Sequence, residues 1–323
     1  MLAALPRLLY LDAEGLGDGH CASSALDGSR FGDALARLRG LGLSHCAVGQ
    51  DNLDHVRGHC RSLRRLKLDG LTPRNGADEP MVVSLITPNA QQLEVLHVDG
   101  GDCGDPLLAA AGQCRQLKEL SVSFCELMTD VGLADLLCLR RLERLRLKKA
   151  SGISAPALRA ALDAGCWPRL TRLHLSECIH VTDDVVVALV DACPGLTHVA
   201  LAWCWLVGKT GVATLLERAA HLQLLDVTGL KALPDDALLP LQEGHAPALR
   251  ELNLRMCNCI DLDLLSRLAH QRPNLLIINY YGSDALAYEQ EDIYYNRDIL
   301  ASPIPGEGGH TGGSVNAGQR GGW

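Results

Sequence analysis

The chain has 323 residues, 47% of them apolar but only 4% aromatic, and a formal net charge of −8. That acidity argues against a general nucleic-acid binder, since such domains are usually strongly basic. No stretch approaches the ~18 apolar residues needed to cross a bilayer, and the segment from Met1 to Leu11 has no basic n-region and is interrupted by Pro6 and Arg7. A protein of the cytoplasm or nucleus, with no membrane association, is expected.

Taken in order, the chain repeats one unit. The pattern L-x-x-L-x-L, usually with Cys, Leu or Ala at the ninth place, begins at Leu8, Leu38, Leu63, Leu93, Leu117, Leu142, Leu170, Leu196, Leu222, Leu249 and Leu275. Steps of 24 to 30 residues together with this leucine spacing define leucine-rich repeats. Alternate leucines of each copy point to one face of a short strand. That face, with the helix that follows, is buried only against the next copy. The expected fold is α/β: a leucine-rich-repeat solenoid of about eleven repeats, with a curved parallel sheet on the concave side and helices on the convex side.

Residues 1–31 read as a first repeat with a Gly-rich connection, and no polar cap precedes Leu8, so a missing upstream segment is expected. Repeats two to four carry turn-rich insertions at 72–80 and 98–106. Repeats five to eight are the most regular. Thr129-Asp130, Thr182-Asp183-Asp184 and Pro234-Asp235-Asp236 read as helix starts, with Thr capping free amides and early Asp suiting the positive helix end. The solenoid is assigned to 1–282 and a tail to 283–323. The tail holds Tyr288, Tyr294 and Tyr295 among acidic residues, then a Gly-rich stretch expected to be disordered; covering of the concave face by this tail is one expected outcome.

Of thirteen cysteines, Cys46, Cys125, Cys178, Cys204 and Cys257 occupy the ninth place, and Cys60, Cys114, Cys138, Cys166 and Cys193 precede a first leucine by three or four residues. Residues so locked to the repeat read as small buried hydrophobes and reduced thiols rather than as a disulfide framework.

The ladder from Cys114 to Cys125 with Leu127-Met128-Thr129-Asp130, and its copy from Cys193 to Cys204, resembles the cysteine-containing subclass of leucine-rich repeats. That subclass is best known from F-box/leucine-rich-repeat proteins, the substrate-recognition subunits of Skp–cullin–F-box ubiquitin ligases. The resemblance covers residues 1 to about 282 and implies a target protein held on the concave face. An F-box, roughly forty helical residues ahead of the repeats, has no place here because Leu8 already belongs to a repeat. A stand-alone scaffold or inhibitor is therefore the alternative. A GTPase-activating protein on a leucine-rich-repeat frame is a third class, but its repeat is longer and has Asn at the ninth place.

Strand residues alternating with the buried leucines face the concave side. Repeats six to eight then place Arg144, Arg146, Lys148, Lys149, Arg172, His174 and His198 in one basic patch, with Trp203 and Trp205 at the strand end. Arg can grip a carboxylate or phosphate with two hydrogen bonds, and Trp is a frequent binding anchor. An acidic or phosphorylated peptide is the expected ligand; a merely solvated charged face is the bland alternative. No cofactor or metal is implied: Cys257-Asn258-Cys259 lacks a second Cys/His pair at zinc spacing. The Gly-rich run 306–313 lacks the Lys, strand and helix of a phosphate loop. No nucleophile–base pair can be assigned, so no enzymatic activity is expected.

Overall fold

Each leucine pattern yields one short strand, and the strands stack in chain order. The computed structural model describes residues 7–13, 28–46, 48–71, 78–99, 101 and 103–285, with 28–31 described for the backbone only. The eleven strands are β1 (Tyr10–Asp12), β2 (Gly40–Gly42), β3 (Arg65–Leu68), β4 (Val95–Asp99), β5 (Glu119–Ser123), β6 (Arg144–Leu147), β7 (Arg172–His174), β8 (His198–Ala200), β9 (Leu224–Asp226), β10 (Glu251–Asn253) and β11 (Leu276–Ile278). All pair in parallel, each with the strand of the next repeat, in one sheet ordered β1 to β11. The described residues form one array as far as Ala285, and residues 286–323 of the expected tail lie outside them.

Helices pack on the other side. They are α1 (Gly28–Arg37), α2 (Gln50–His59), α3 (Glu79–Ile86), α4 (Asp105–Gly112), α5 (Asp130–Leu136), α6 (Ala155–Asp163), α7 (Asp183–Ala192), α8 (Lys209–Arg218), α9 (Leu239–Gln242) and α10 (Leu262–Gln271). The first, fourth and sixth repeat leucines form the core between the two layers: Leu142, Leu145 and Leu147 are fully buried, as are Leu222, Leu225 and Val227. Burying one such side chain is worth about 1.5–3 kcal/mol, and each of repeats two to ten supplies three.

Repeat eleven departs from the expected register. Leu252 pairs with Ile277 rather than Ile278, so this copy is one residue shorter between its first two apolar positions. Ile277 and Asn279 are consequently buried, and Ile278 turns to the concave side. The backbone then folds back through the antiparallel bridge of Ile278 with Asp284, which places buried Ala285 over the end of the core.

The ninth-position cysteines are not purely apolar spacers. The thiol of Cys178 donates to the Leu147 carbonyl at 3.1 Å, that of Cys204 to Leu175 at 2.9 Å and that of Cys257 to Val227 at 3.2 Å. Each acceptor is the sixth residue of the preceding repeat, so the thiol satisfies a carbonyl just beyond the end of the strand ladder. Burial pushes the Cys178 thiol up to about 12 and that of Cys257 up to about 11, which makes both poor nucleophiles.

The helix starts also work across repeats. Thr129 caps its own helix through Val131 N, but Thr182 makes no side-chain cap bond. The early aspartates reach instead to the next copy. Asp105 accepts from both N and Oγ1 of Thr129 at 2.7 Å, and Asp130 likewise accepts from N and Oγ of Ser154 at 2.7 Å. Asp183 accepts from Gly208 N at 2.7 Å, and Asp235 from Asp261 N at 2.8 Å. Thus the first residue of one helical turn holds the cap residue of the next. Removing an exposed charged acceptor of two hydrogen bonds costs about 1–2 kcal/mol. Asp130→Ala should lower stability by about that amount in urea denaturation, with an unchanged m-value; a loss below about 0.3 kcal/mol would show that solvent replaces the pair.

Candidate functional site

The parallel register brings the expected basic residues together. Arg144 lies opposite Arg172, and Arg172 opposite His198. One step along the strands, Arg146 lies opposite His174. Strands in a sheet are ~4.8 Å apart, so the five side chains form a two-row strip over β6 to β8.

Acidic partners from the same face offset much of that charge. Glu119, 5% exposed, accepts from Arg144 Nη1 at 2.7 Å and pairs with His97 Nε2 at 2.8 Å. His97, 1% exposed, also lies 3.8 Å from Asp69. Burial pushes the Glu119 carboxyl up, but the His97 hydrogen bond and the charges of His97, Arg144 and Lys67 outweigh it and hold the group below its ordinary value. Arg146 is itself buried, and burial lowers its affinity for the proton while Asp69 and the Cys125 thiol oppose that. Arg146 is therefore a core charge rather than a surface one. Arg172 is partly exposed; burial and the neighbouring Arg144 both press its pKa down, and Glu119 opposes them.

The two histidines carry no charge at neutral pH. Burial, then Arg146 and Lys148, depress His174 to about 3. Burial, then Arg172, depresses His198 to about 4, and its Nδ1 lies 2.8 Å from Thr197 Oγ1. Of the seven residues expected to form one basic patch, the histidines are neutral, Arg146 is buried, and Arg144 is paired.

Lys148 and Lys149 share Glu177, at 3.3 Å and 3.7 Å, and both approach the Phe124 ring, Lys149 more closely at 4.8 Å from its centroid. Lys149 does not continue the strand. It belongs to a column of residues with left-handed backbone at the eighth repeat position: His45, Phe124, Lys149, Glu177, Trp203 and Met256, with Gly70 and Gly229 completing it. The turn of the chain out of the strand requires this conformation, because the eighth N–H swings toward the next repeat. Glu177 N donates to Ala202 O and Trp203 N to Thr228 O, both at 2.7 Å. For a residue other than glycine this costs roughly 1–2 kcal/mol. Trp203 lies against the next column member: a Cβ on Gly229 would meet its ring at 2.4 Å, so glycine is required there for space as well as for conformation.

At the other end of the same face, Glu251 is buried with Oε1 lacking a hydrogen-bond partner. Burial, then Asp226, raises it to about 7. Glu119, Glu177, Phe124 and Glu251 were not in the sequence-based patch. Glu119 could have been found by reading charges along the third-position row, where it stands directly beside Arg144. Among the described residues no helix is long and apolar enough to cross a membrane, and no group of three or more His, Cys, Asp or Glu could hold a metal ion.

A leucine-rich-repeat family model matches residues 113–137, the fifth repeat and its helix. The fold is that of yeast Rad7 in its complex with Elc1: TM-score 0.64 at 17% identity, covering 85% of this chain and 75% of that one. The chain folds as a leucine-rich-repeat solenoid. In sequence its repeats are similar to the BTB/POZ domain-containing protein FBL11 of Arabidopsis thaliana, 26% identical over 262 residues, which is 78% of this chain. The chain spans about a quarter (26%) of that relative's length. TLR13, solved in complex with ssRNA13, is a more distant likeness, with a TM-score of 0.47 at 19% identity over 76% of this chain and 36% of TLR13. The likeness to the cysteine-containing repeats of F-box/leucine-rich-repeat proteins, read from the Cys ladder, stands with these findings, and the fold is one typical of interaction scaffolds.

Proposed function

We propose that this leucine-rich-repeat array is a non-enzymatic recognition module whose concave strip across β6 to β8 holds an acidic or phosphorylated segment of a target protein. The observation that carries the reading is the row Arg144–Arg172–His198, three partly exposed nitrogen-bearing side chains in direct register. An anion there would gain charge-assisted hydrogen bonds and would relieve the mutual repulsion of Arg144 and Arg172. On this reading the target is presented to a Skp–cullin type ubiquitin ligase in the cytoplasm or nucleus. The likeness to F-box/leucine-rich-repeat proteins supports this, as does the association of the structural neighbour Rad7 with Elc1. A stand-alone scaffold is the second reading, favoured by the internal pairing of Arg144 with Glu119, which serves the fold without any ligand.

The test is a cross-linked pull-down read by mass spectrometry, wild type against Arg172→Glu. Arg172 suits the reversal better than Arg144, whose replacement by Glu would set two carboxylates together in a buried position. The expected result is at least tenfold loss of a captured partner with Arg172→Glu, and co-capture of Skp and cullin subunits with wild type. A charge-sensitive partner without ligase subunits would select the scaffold reading. A partner set insensitive to Arg172→Glu would remove the strip as the site. An anion should also raise the proton affinity of His174 and His198 above about 3 and about 4, so their protonation should tighten binding to the purified partner only as pH falls below about 5.

A further inference from the structure

A second surface lies beyond the strand ends and owes nothing to the concave reading. Between the eighth- and tenth-position columns of repeats five to eight runs an open groove of about 390 Å³. Lys149, Glu177 and Trp203 form one wall; Glu126, Ser151, Ile179 and Trp205 form the other. The small ninth residues between them, Ala150, Cys178 and Cys204, turn inward and are buried.

Three features favour this groove as a binding site. First, its wall is built of left-handed residues that are not glycine, at a position where repeats three and nine carry glycine. Strained backbone is retained where the side chain has a use, and none of the three side chains contributes to the core. Second, the end formed by Ile179, Trp203 and Trp205 is apolar and open: Trp205 is 64% exposed and Ile179 39%. Third, the charges are unequal. Lys149 is occupied by Glu177 and the Phe124 ring, while Glu126, at the far end, is exposed and in no ion pair among the described residues.

We infer that this groove docks an extended segment of a partner protein that places an aromatic or aliphatic side chain between Trp203, Ile179 and Trp205 and a basic side chain against Glu126. Two indoles supply the rigid apolar contact enriched at binding hot spots, and Glu126 supplies a charge-assisted acceptor. Glu126 and Trp205 are three repeats apart, roughly 14 Å at ~4.8 Å per strand, and an extended chain advances ~3.3 Å per residue. The basic and apolar residues should therefore stand about four positions apart.

The experiment is panning of a random dodecapeptide phage library on the full chain, followed by affinity measurements on the selected peptides. The expected yield is peptides pairing a basic and a bulky apolar residue at that spacing. Their affinity should fall at least tenfold with Trp205→Ala and with Glu126→Lys, both at exposed positions that leave the fold intact, and stay within twofold with Arg172→Glu. Trp203→Gly should abolish binding without lowering the melting temperature, since glycine suits the left-handed position. Peptides of acidic composition lost with Arg172→Glu would overturn the inference. So would recovery of no peptide, or self-association of the chain abolished by Trp205→Ala.

Discussion

Replacing Glu119 with leucine should cost the fold about 3 kcal/mol. Its carboxylate joins β4 to β6 by accepting from buried His97 and from Arg144, and removing one member of a buried charged set leaves the others desolvated without compensation. Such losses are typically about 3–5 kcal/mol; Arg144, whose side chain is 35% exposed, recovers part of its share from water, which sets the lower figure. Denaturant unfolding monitored by circular dichroism would measure it. The double variant Glu119→Leu with Arg144→Leu should be more stable than the single one, because it removes the orphaned cation as well. A single variant within about 1 kcal/mol of wild type would mean that water reaches the network and that Glu119 is an ordinary surface pair.

Glu251→Gln should act in the opposite direction and only at higher pH. The folded protein holds the Glu251 proton up to about pH 7, against 4.5 for an ordinary glutamate. A raised carboxyl pKa means stability that is fully present below about 4.5 and lost as pH rises through 7, because the buried side chain must then ionise beside Asp226. At about 1.4 kcal/mol for each tenfold change in proton affinity, the interval caps the loss near 3 kcal/mol. Glutamine has nearly the same shape and no charge to bury. The variant should therefore match wild type at pH 4 and exceed it by about 2–3 kcal/mol at pH 8 in urea titrations. Equal stabilities at both pH values would place the Glu251 carboxylate in contact with solvent.

How much of this was legible beforehand differs from feature to feature, for physical reasons. The array itself was plain, because burial of one face every 24 to 30 residues leaves a periodic mark that no local ambiguity can hide. The neighbours within the basic strip followed from that period, since Arg144, Arg172 and His198 share one repeat position. Their electrostatic state did not follow. It depends on how deeply Arg146 and His174 sink between strands, and on Glu119 from the neighbouring repeat, which a repeat-by-repeat reading keeps separate from Arg144. The one-residue contraction at Ile277 was invisible because Leu276, Ile277 and Ile278 are all apolar and fit either register. The left-handed column had a faint signal in Gly70 and Gly229, but Lys149, Glu177 and Trp203 obscure it, as residues kept for a side chain rather than for a backbone would. The aspartate ladder was read only as helix-end electrostatics, since a contact with the next copy has no local sequence mark.

That ladder has a gap, and the gap has a mechanical meaning. Where α6 begins with Ala155, no carboxylate is available to hold Thr182 at the start of α7; across this step Arg159 donates to the Asp184 carbonyl, Cys178 to the Leu147 carbonyl, and Lys148 and Lys149 pair with Glu177. In a quasi-one-dimensional stack, cooperativity is only as strong as each interface between neighbours, and here the side chains of the concave rim take over from the missing aspartate. Arg144 and Arg172 face each other across the same step. A ligand gripped by both arginines would add a further clasp across this step, so that recognition of a partner would also stiffen the stack, visible as slower amide exchange in strands far from the contact.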